Sequence, residues 1–300
     1  MKIGFIGQGW VGKNIADEFE NRGFDTVRYS LEEPYVKNKD KIAECDIVFI
    51  AVPTPSTPKG FDDRILRSVL KLVGEGKIAV IKSTLLPGNT EEIQKENPKI
   101  IVMHSPEFLR EASAAFDCAN PDRNIVGIPK KSPKFLEAAE KVLSVLPKAP
   151  YNKICGSGEA ELVKYGNNCF LYTKVLFMNL LYDLAQSKGI DFSIVAEAMS
   201  SDPRIGKSHM NPVFKSPNGA SGQTGRGAGG NCFIKDFKAF ADAYRDSVGD
   251  EFGVKLIQSM EKKNNDLLIK SGKDLDLLQG VYGKIKTKKN ESKKILLDKN

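Results

Sequence analysis

The chain has 300 residues, of which 41% are apolar, and a formal net charge of +7. This length and apolar content predict about two domains with at least one substantial core. No apolar run long enough to cross a bilayer occurs, so we expect no membrane partner and a cytoplasmic location. Five scattered cysteines show no spacing typical of zinc ligands, which argues against a metal site and against disulfides.

The positive charge is concentrated near the end of the chain, where lysines occur at Lys284, Lys286, Lys288, Lys289, Lys293 and Lys294. The rest of the chain is nearly balanced. A lysine-rich terminus is usually a solvated tail. We therefore interpret residues 276–300 as a tail and expect no nucleic-acid partner.

A strand pattern, KIGFI at residues 2–6, is followed by a GxGxxG turn and by helical spacing over residues 13–21. Glycines at such a turn let a pyrophosphate approach the helix N-terminus, where free N–H groups favour anions. The pattern between a first strand and a helix predicts a dinucleotide site. The residues predicted to form it are Gly7, Gly9, Trp10, Val11 and Gly12.

The second strand is predicted at residues 25–29, and its end normally carries an acidic residue that binds the adenosine ribose of NAD. Here that position is Ser30. Arg28 is nearby and lysines follow, so a ribose phosphate would meet positive charge. NADP therefore stays open beside NAD as the cofactor, although Glu32 or Glu33 could instead fold back to the ribose.

Further strands are predicted over residues 46–52, 78–82 and 99–103, with helices over residues 64–73 and 90–95 between them. This alternation predicts an α/β fold with a doubly wound parallel sheet of the Rossmann type. Ligands of such sheets bind beyond the carboxyl ends of the strands. Three segments therefore attract attention: VPTP at 52–55, KSTLLPGNT at 82–90 and HSPEFLREA at 104–112.

Long helical periodicity begins at about Tyr151 and predicts an all-helical second domain. We expect a cofactor domain over residues 1–148, a helical domain over 149–275 and the tail described above. On the first long helix, Lys164 and Asn168 lie one turn apart on one face and could reach a single ligand atom. Taken alone, a solvated lysine beside a surface amide is the more ordinary explanation.

A long loop rich in glycine, serine and asparagine leads into GGNCFIKD at residues 229–236. A cysteine near a helix N-terminus and a lysine should have a depressed thiol pKa, which makes Cys232 a candidate nucleophile. The other four cysteines are interpreted as small core residues.

Seven segments, in the same order, resemble the UDP-glucose dehydrogenase family: GQGWVG, VPTP, KST with PGNT, SPEFLRE, KxxxN, DPRIG with NP, and GGNCFIKD. Members of this family oxidise the primary alcohol of a nucleotide sugar to a carboxylate by two hydride transfers to NAD. The resemblance implies that Cys232 forms a thiohemiacetal and then a thioester. It also makes the long helix a candidate homodimer interface.

The resemblance implies roles for further residues. Lys164 and Asn168 would donate to the developing oxyanion. Asp236 would act with Thr84 through an ordered water in proton transfer, and Glu107 would act in thioester hydrolysis. Besides the glycine turn and Ser30, the residues implied to contact the cofactor are Thr54, Thr84, Glu111 and Lys235. Those implied to contact the substrate are Glu107, Phe108, Leu109, Lys164, Asn168, Arg204, Asn211 and Gly229.

The sequence departs from the family in two ways that bear on substrate binding. Family members usually have a third, Rossmann-like domain that binds much of the nucleotide, and we find no counterpart after Asp236. The loop between DPRIG and Cys232 is also longer, so Lys215, Asn218 and Arg226 are candidates to replace lost contacts. UDP-glucose is the expected sugar nucleotide.

Two other functions stay open. Beta-hydroxyacid dehydrogenases have a similar length, the same two-domain plan and a lysine and an asparagine four residues apart. They transfer one hydride and need no cysteine, so GGNCFIKD and SPEFLRE argue against that class. The second alternative is a non-catalytic protein that binds the cofactor and a full-length homologue.

Overall fold

A computed structural model describes residues 1–216 and 224–284, and its residues group into two compact units. The first unit contains residues 1–55 and 62–166, and the second contains residues 56–61 and the described residues from Asn167 onward. The predicted tail over residues 276–300 is wrong at its start, because residues 276–282 belong to a helix, Leu275–Tyr282, in which Leu278 and Val281 are buried. Three expectations lie outside the described residues: the rest of the tail beyond Lys284, the contact by Asn218, and the side chain of Glu111.

Strands and helices alternate in the first half of the chain, and helices dominate the second half. The strands are β1 (Lys2–Ile6), β2 (Asp25–Tyr29), β3 (Ile47–Ile50), β4 (Ser56–Thr57), β5 (Gly60–Phe61), β6 (Ile78–Ile81), β7 (Ile101–His104), β8 (Arg123–Ile128), β9 (Tyr151–Gly156), β10 (Val213–Lys215) and β11 (Thr224–Arg226). The α-helices are α1 (Trp10–Asn21), α2 (Arg64–Leu70), α3 (Asn89–Glu96), α4 (Ala114–Ala119), α5 (Pro133–Val145), α6 (Ser157–Ser187), α7 (Phe192–Ser200), α8 (Gly230–Ser247), α9 (Glu251–Ser271) and α10 (Leu275–Tyr282). Short 3-10 helices lie at Val36–Glu44 and Glu111–Ser113.

A seven-stranded sheet in the order β2-β1-β3-β6-β7-β8-β9 forms the centre of the first unit. Neighbouring strands are parallel except β7 and β8, so the sheet is mostly parallel. The central strands β3, β6 and β7 are buried along their whole length, because helices cover both faces of such sheets. The predicted Rossmann-type fold is confirmed, and its order reverses between β1 and β3, where ligands of these folds bind.

Three phenylalanines join the sheet to α1. The ring of Phe5 stacks on that of Phe49 with centroids 5.6 Å apart, and it meets the ring of Phe19 edge-on at 5.3 Å. All three side chains are buried. This contact packs the C-terminal part of α1 against the sheet.

The prediction that helical periodicity begins at about Tyr151 is wrong, because Tyr151–Gly156 forms strand β9 and the long helix begins only at Ser157. β9 is the last strand of the sheet, and Tyr151, Asn152 and Lys153 are exposed on it. An edge strand with exposed polar residues lacks the apolar run that reveals a central strand.

The second unit is helical, as predicted, with two additional β-hairpins formed by β4 with β5 and by β10 with β11. The stacked rings of Tyr172 and Phe237, with centroids 3.8 Å apart, join α6 to α8 in its core. The units divide between Gly166 and Asn167, within α6, and the domain boundary at residue 148 stays a prediction. No helix in the described part of the chain combines the length and the apolar character needed to cross a membrane.

Candidate functional site

Gly7 and Gly12, the first and third glycines of the GxGxxG turn, are required by the fold itself. A β carbon on Gly12 would lie 1.9 Å from the carbonyl oxygen of Gly7, and one on Gly7 would lie 2.3 Å from that of Ala51. Gly7 also has a φ of +90°, which favours glycine. Any larger side chain at either position would force the turn apart.

Gly9 is different, because a β carbon there would meet no atom within 4 Å. The protein therefore does not need a glycine at Gly9 for its own packing. An open approach to the N-terminus of α1, which begins at Trp10, is what a dinucleotide pyrophosphate requires. Val11, next in the helix, packs against the sheet core. The turn thus fits the predicted cofactor.

The expected positive charge at the ribose end is not provided by Arg28. Its guanidinium is buried and forms ion pairs with Asp17 at 2.7 Å and with Glu20 at 2.6 Å. The expectation that Arg28 would face a ribose phosphate is wrong, since two carboxylates already neutralise it. Ser30 directly follows β2, and its hydroxyl donates to the carbonyl oxygen of Glu32 at 3.1 Å.

The carboxyl ends of β3 and β6 are tied together by hydroxyl groups. Thr54 Oγ1 donates to the carbonyl oxygen of Thr84 at 2.8 Å. Ser83 Oγ donates to the carbonyl oxygen of Val52 at 2.7 Å and accepts from its N–H at 3.0 Å. The VPTP and KST segments therefore lie side by side at the edge of the sheet where ligands bind.

Glu107 and Lys164 form a buried ion pair in the first unit. Lys164 Nζ donates to Glu107 Oε1 at 2.8 Å and to the Glu107 carbonyl oxygen at 2.6 Å. Glu107 Oε2 accepts from the N–H of Leu109 at 2.8 Å. Burial favours the neutral carboxyl, but Lys164 and the Leu109 N–H outweigh it and hold the pKa of Glu107 below its usual value. Glu107 is therefore held as an ionised carboxylate although it is largely buried.

Two further buried groups lie at this end of the sheet and were not identified as site residues from the sequence. Lys82 is almost completely buried, and its Nζ donates to Ser105 Oγ at 3.1 Å. Burial lowers the pKa of Lys82 to about 8, although Glu107 opposes the shift. Burial, with the charges of Lys82 and Lys164, lowers the pKa of His104 to about 3, so its imidazole is neutral.

The ring of Phe108 contacts two cations of the first unit. The guanidinium carbon of Arg123 is 3.9 Å from the ring centroid, and Lys164 Nζ is 5.6 Å from it. Such contacts attract the cation to the ring face. Phe108 thus fixes the chain immediately after Glu107.

Glu161 is a structural carboxylate that the sequence did not single out as a site residue. It is fully buried, and its Oε2 accepts from the N–H of Gly88 at 2.7 Å. Its Oε1 accepts from Thr90 N at 2.8 Å and from Thr90 Oγ1 at 2.5 Å. The PGNT segment is therefore held at the start of α3 by one side chain of α6.

In the second unit, Asp236 is buried between an amide and an ammonium group. Its Oδ2 accepts from Asn168 Nδ2 at 2.6 Å, and its Oδ1 accepts from Lys235 Nζ at 2.5 Å. Only 1% of Asp236 is exposed. Lys164 and Asn168 thus bind different carboxylates, Glu107 and Asp236, and their joint action on one ligand atom stays a prediction.

Cys232 lies in the first turn of α8 and is exposed. The helix begins at Gly230, whose φ is +85°, and Gly229 is its N-cap. A β carbon on Gly229 would lie 2.1 Å from Asp274 Oδ2. Packing against a buried carboxylate therefore requires glycine at Gly229, whereas the left-handed φ of Gly230 favours glycine there.

The remaining predicted substrate contacts fall into two groups. Arg204 is exposed and pairs with Asp202 at 2.6 Å, and Asn211 Oδ1 accepts from the N–H of Val213 at 3.0 Å. Lys215 is exposed. Arg226 is used internally: it forms an ion pair with Asp183 at 2.7 Å. The expectation that Arg226 would replace lost substrate contacts is wrong for that reason.

Metal ligands do not cluster in residues 1–216 and 224–284, where no group of three or more histidine, cysteine, aspartate or glutamate side chains is placed to hold an ion.

Comparison with known proteins identifies two family domains. Residues 34–145 match the NAD-binding domain of the UDP-glucose/GDP-mannose dehydrogenase family, and residues 158–266 match its central domain.

Named relatives extend the comparison. The chain is 30% identical to the putative UDP-glucose 6-dehydrogenase YtcA of Bacillus subtilis, over 90% of this chain and 69% of that protein. It is 31% identical to the UDP-glucose 6-dehydrogenase YwqF of the same organism, over 86% of this chain and 56% of that one. A UDP-glucose dehydrogenase structure from Pyrobaculum islandicum superposes with a TM-score of 0.72 at 29% identity, covering 87% of this chain and 68% of that chain. The chain therefore matches only part of the length of each.

Proposed function

Because the chain belongs to the UDP-glucose/GDP-mannose dehydrogenase family, we propose that it oxidises UDP-glucose to UDP-glucuronate with Cys232 as the covalent catalyst. The observation that carries the proposal is the exposure of this one thiol at the start of a helix. In contrast, burial raises the pKa of Cys45 to about 11 and that of Cys118 to about 12, so those side chains stay as thiols.

NAD is the proposed cofactor, held at the glycine turn and at the ends of β2, β3 and β6. The open approach at Gly9 supports this, and the neutralised Arg28 favours NAD over NADP. When bound, NAD supplies the hydride acceptor for both stages of oxidation. We assign cofactor contacts to Ser30 and Thr54 at these strand ends, and further contacts, by family resemblance, to Thr84, Glu111 and Lys235.

The proposed role of Cys232 follows from the chemistry of an aldehyde. Loss of one hydride and one proton from the primary alcohol gives the aldehyde, and the Cys232 thiolate adds to its carbon to form a thiohemiacetal. Loss of a second hydride and proton gives a thioester. Water then breaks the carbon–sulfur bond, which releases the carboxylate and restores the thiol.

The charged groups of each unit fit the steps assigned to them. Lys164 has three N–H donors, of which two bind Glu107, and we assign the third to the substrate oxyanion together with Asn168. Glu107 is held charged, as a base for the hydrolytic water must be. Asp236 is the proposed base for the alcohol proton, acting with Thr84.

Substrate contacts are proposed at the segment after Glu107 and in the second unit. By family resemblance the residues are Phe108, Leu109, Arg204, Asn211 and Gly229. The exposure of Arg204 is compatible with a contact to an anionic ligand.

A homodimer is the proposed assembly. Along α6, large apolar side chains at helical spacing are at least half exposed, at Phe170, Phe177, Leu180 and Leu184. Contiguous exposed apolar surface of this kind commonly marks a protein interface. A second copy of the same helix would bury it.

The test is to incubate the purified chain with UDP-glucose and NAD and to follow UDP-glucuronate by chromatography. Cys232→Ser should form no acid, because a hydroxyl is a far weaker nucleophile than a thiolate. Cys155→Ser, at the half-buried cysteine, is the matched control and should retain the wild-type rate. Equal acid formation by Cys232→Ser and the wild type would contradict the proposal.

A further inference from the structure

The segment from Thr224 to Gly230 leads directly into α8, in which Cys232 is the third residue. Its backbone turns at Gly227 and Gly230, which have φ angles of +94° and +85°. Glycine adopts such angles freely, but the N–H and C=O groups of the turn then lack the partners that a regular strand or helix supplies. The segment must therefore be held by other parts of the second unit.

The C-terminal part of α9 provides the first set of partners. The N–H of Ala228 donates to Asn264 Oδ1 at 2.7 Å, and the Ala228 carbonyl oxygen accepts from Asn264 Nδ2 at 3.0 Å. The N–H of Arg226 donates to Ser271 Oγ at 2.9 Å. Two side chains of one helix thus satisfy three backbone groups of the segment.

Lys273, just after α9, provides the second set. It is fully buried, and its Nζ donates to the carbonyl oxygens of Gly227 at 3.1 Å and Gly225 at 3.4 Å. The same ammonium lies 3.3 Å from the centroid of the Phe214 ring, within the range of a cation–π contact. A buried lysine therefore holds the segment through two hydrogen bonds to its backbone.

Asp274 completes the arrangement at the helix N-terminus. Its Oδ2 accepts from the N–H of Gly230 at 2.8 Å and from Ser216 Oγ at 2.5 Å. Asp274 is only 1% exposed and has a φ of +52°, a left-handed conformation that is costly for a residue with a side chain. A buried carboxylate is also costly unless cations and donors surround it. Such a residue persists only where its surroundings determine its position.

We propose that Lys273 and Asp274 are positioning residues that hold the glycine turn, and with it the thiol of Cys232, in the place required for attack on the substrate. This inference rests on the proposed function, because it assigns the two residues a purpose only if Cys232 is the nucleophile. Neither residue belongs to a segment that resembles the family motifs.

The physical reason is geometric. Asp274 binds the first N–H of α8, so it fixes the turn of the helix from which Cys232 projects. Lys273 supplies the positive charge that a buried carboxylate at this position needs. Because a displacement of about 1 Å can cost about 100-fold in rate, the loss of this support should affect catalysis more than binding.

The decisive variants are Asp274→Ala and Asp274→Asn. Asp274→Ala removes both hydrogen bonds, and we expect kcat to fall on the order of 10- to 100-fold while KM stays close to the wild-type value. Asp274→Asn keeps an oxygen that accepts from Gly230 and Ser216, so it should restore most of the rate. Carbamidomethylation of Cys232 by iodoacetamide, followed by mass spectrometry of its peptide, should slow in Asp274→Ala and recover in Asp274→Asn.

Asp250→Ala is the matched control, because Asp250 caps α9 through the N–H groups of Phe252 and Gly253 and is not part of the Cys232 turn. It should lower the melting temperature and leave Cys232 alkylation unchanged. If Asp274→Ala does not fold, Ser216→Ala serves in its place. That variant removes one of the two donors to Asp274, and it should lower kcat and slow alkylation to a smaller extent.

The inference is overturned if the folded alanine variant shows wild-type kcat and alkylation, or if Asp274→Asn is as impaired as Asp274→Ala. The two proposals fail separately. If the wild type oxidises no nucleotide sugar, the proposed function fails, whereas the alkylation rates of Cys232 still decide whether Asp274 positions the thiol.

Discussion

Two buried lysines, one in each unit, carry similar charges in different surroundings. Burial lowers the pKa of Lys82 and of Lys273 to about 8 in each case. Lys82 donates to one hydroxyl, that of Ser105, whereas Lys273 donates to two carbonyl oxygens, lies on the ring of Phe214 and neighbours Asp274. Burial alone therefore does not determine whether a lysine stabilises the fold; the groups that its ammonium binds do.

In the second unit the Lys273 ammonium supports the backbone, since it donates to the carbonyl oxygens of Gly225 and Gly227. In the first unit the charge costs stability and supports no backbone group, but it helps to hold Glu107 ionised. We therefore expect replacement of the two lysines by methionine to change stability in opposite directions.

The largest effect is expected for Lys273→Met. Methionine keeps the apolar contact with Phe214 but leaves two carbonyl oxygens without a donor and Asp274 without its neighbouring cation. We expect unfolding free energy to fall by about 3–5 kcal/mol, the usual cost of breaking a buried charge arrangement. Urea denaturation at pH 7 measures it. A variant as stable as the wild type would show that Lys273 does not hold the turn.

The second effect is expected for Lys82→Met, with the opposite sign. At pH 7 the variant should be more stable than the wild type by about 2 kcal/mol, since it no longer buries an ammonium group. Its rate of acid formation should fall, because the pKa of Glu107 loses one of the cations that lower it. A loss of stability at pH 7 would contradict this account of Lys82.

The same pair of proteins tests the sign of the pH dependence. The pKa of Lys82 is about 8 in the folded chain, against 10.5 for an ordinary lysine, so the unfolded state binds more protons between these limits. Wild-type stability should therefore rise relative to Lys82→Met between about pH 8 and 10.5. Denaturation of both proteins across this window measures the difference, and a constant difference would mean that Lys82 titrates normally.

The smallest effect is expected for Phe214→Leu. Leucine keeps an apolar contact but removes the ring face on which the Lys273 ammonium lies. We expect a loss of about 1 kcal/mol, the scale of a cation–π contact. Phe233→Leu, at a partly buried phenylalanine of the same core, is the control for the loss of a ring. Equal losses of stability in both variants would show that the cation–π contact with Lys273 does not stabilise the protein.

Much of the fold and of the cofactor turn could be predicted from the sequence, because the signals are local. The central strands are short apolar runs. A β carbon on Gly12 would meet the backbone of Gly7, which is close in sequence, and one on Gly7 would meet the backbone of Ala51, just after the neighbouring strand. Tyr151–Gly156 escaped prediction because an edge strand can be polar.

The anchoring of the Cys232 turn could not be predicted, because its partners are distant in sequence. Asp274 binds Gly230, 44 positions away, and the Lys273–Asp274 pair in a polar stretch has the pattern of a solvated surface. Arg28 and Arg226 were interpreted wrongly for a related reason: their carboxylate partners lie on helices that the sequence does not place beside them. Lys82 left a weak signal, a lysine directly after a buried apolar strand.

The central claim is that one thiol carries the substrate through two oxidations, and the number of reduced cofactors per sugar tests it most directly. Purified chain would be mixed with a limiting amount of UDP-glucose and excess NAD, and absorbance would give the NADH formed when all the sugar is consumed. The account predicts two NADH per sugar. One NADH per sugar, with an unchanged ratio in Cys232→Ser, would contradict it and would identify a dehydrogenase that transfers a single hydride.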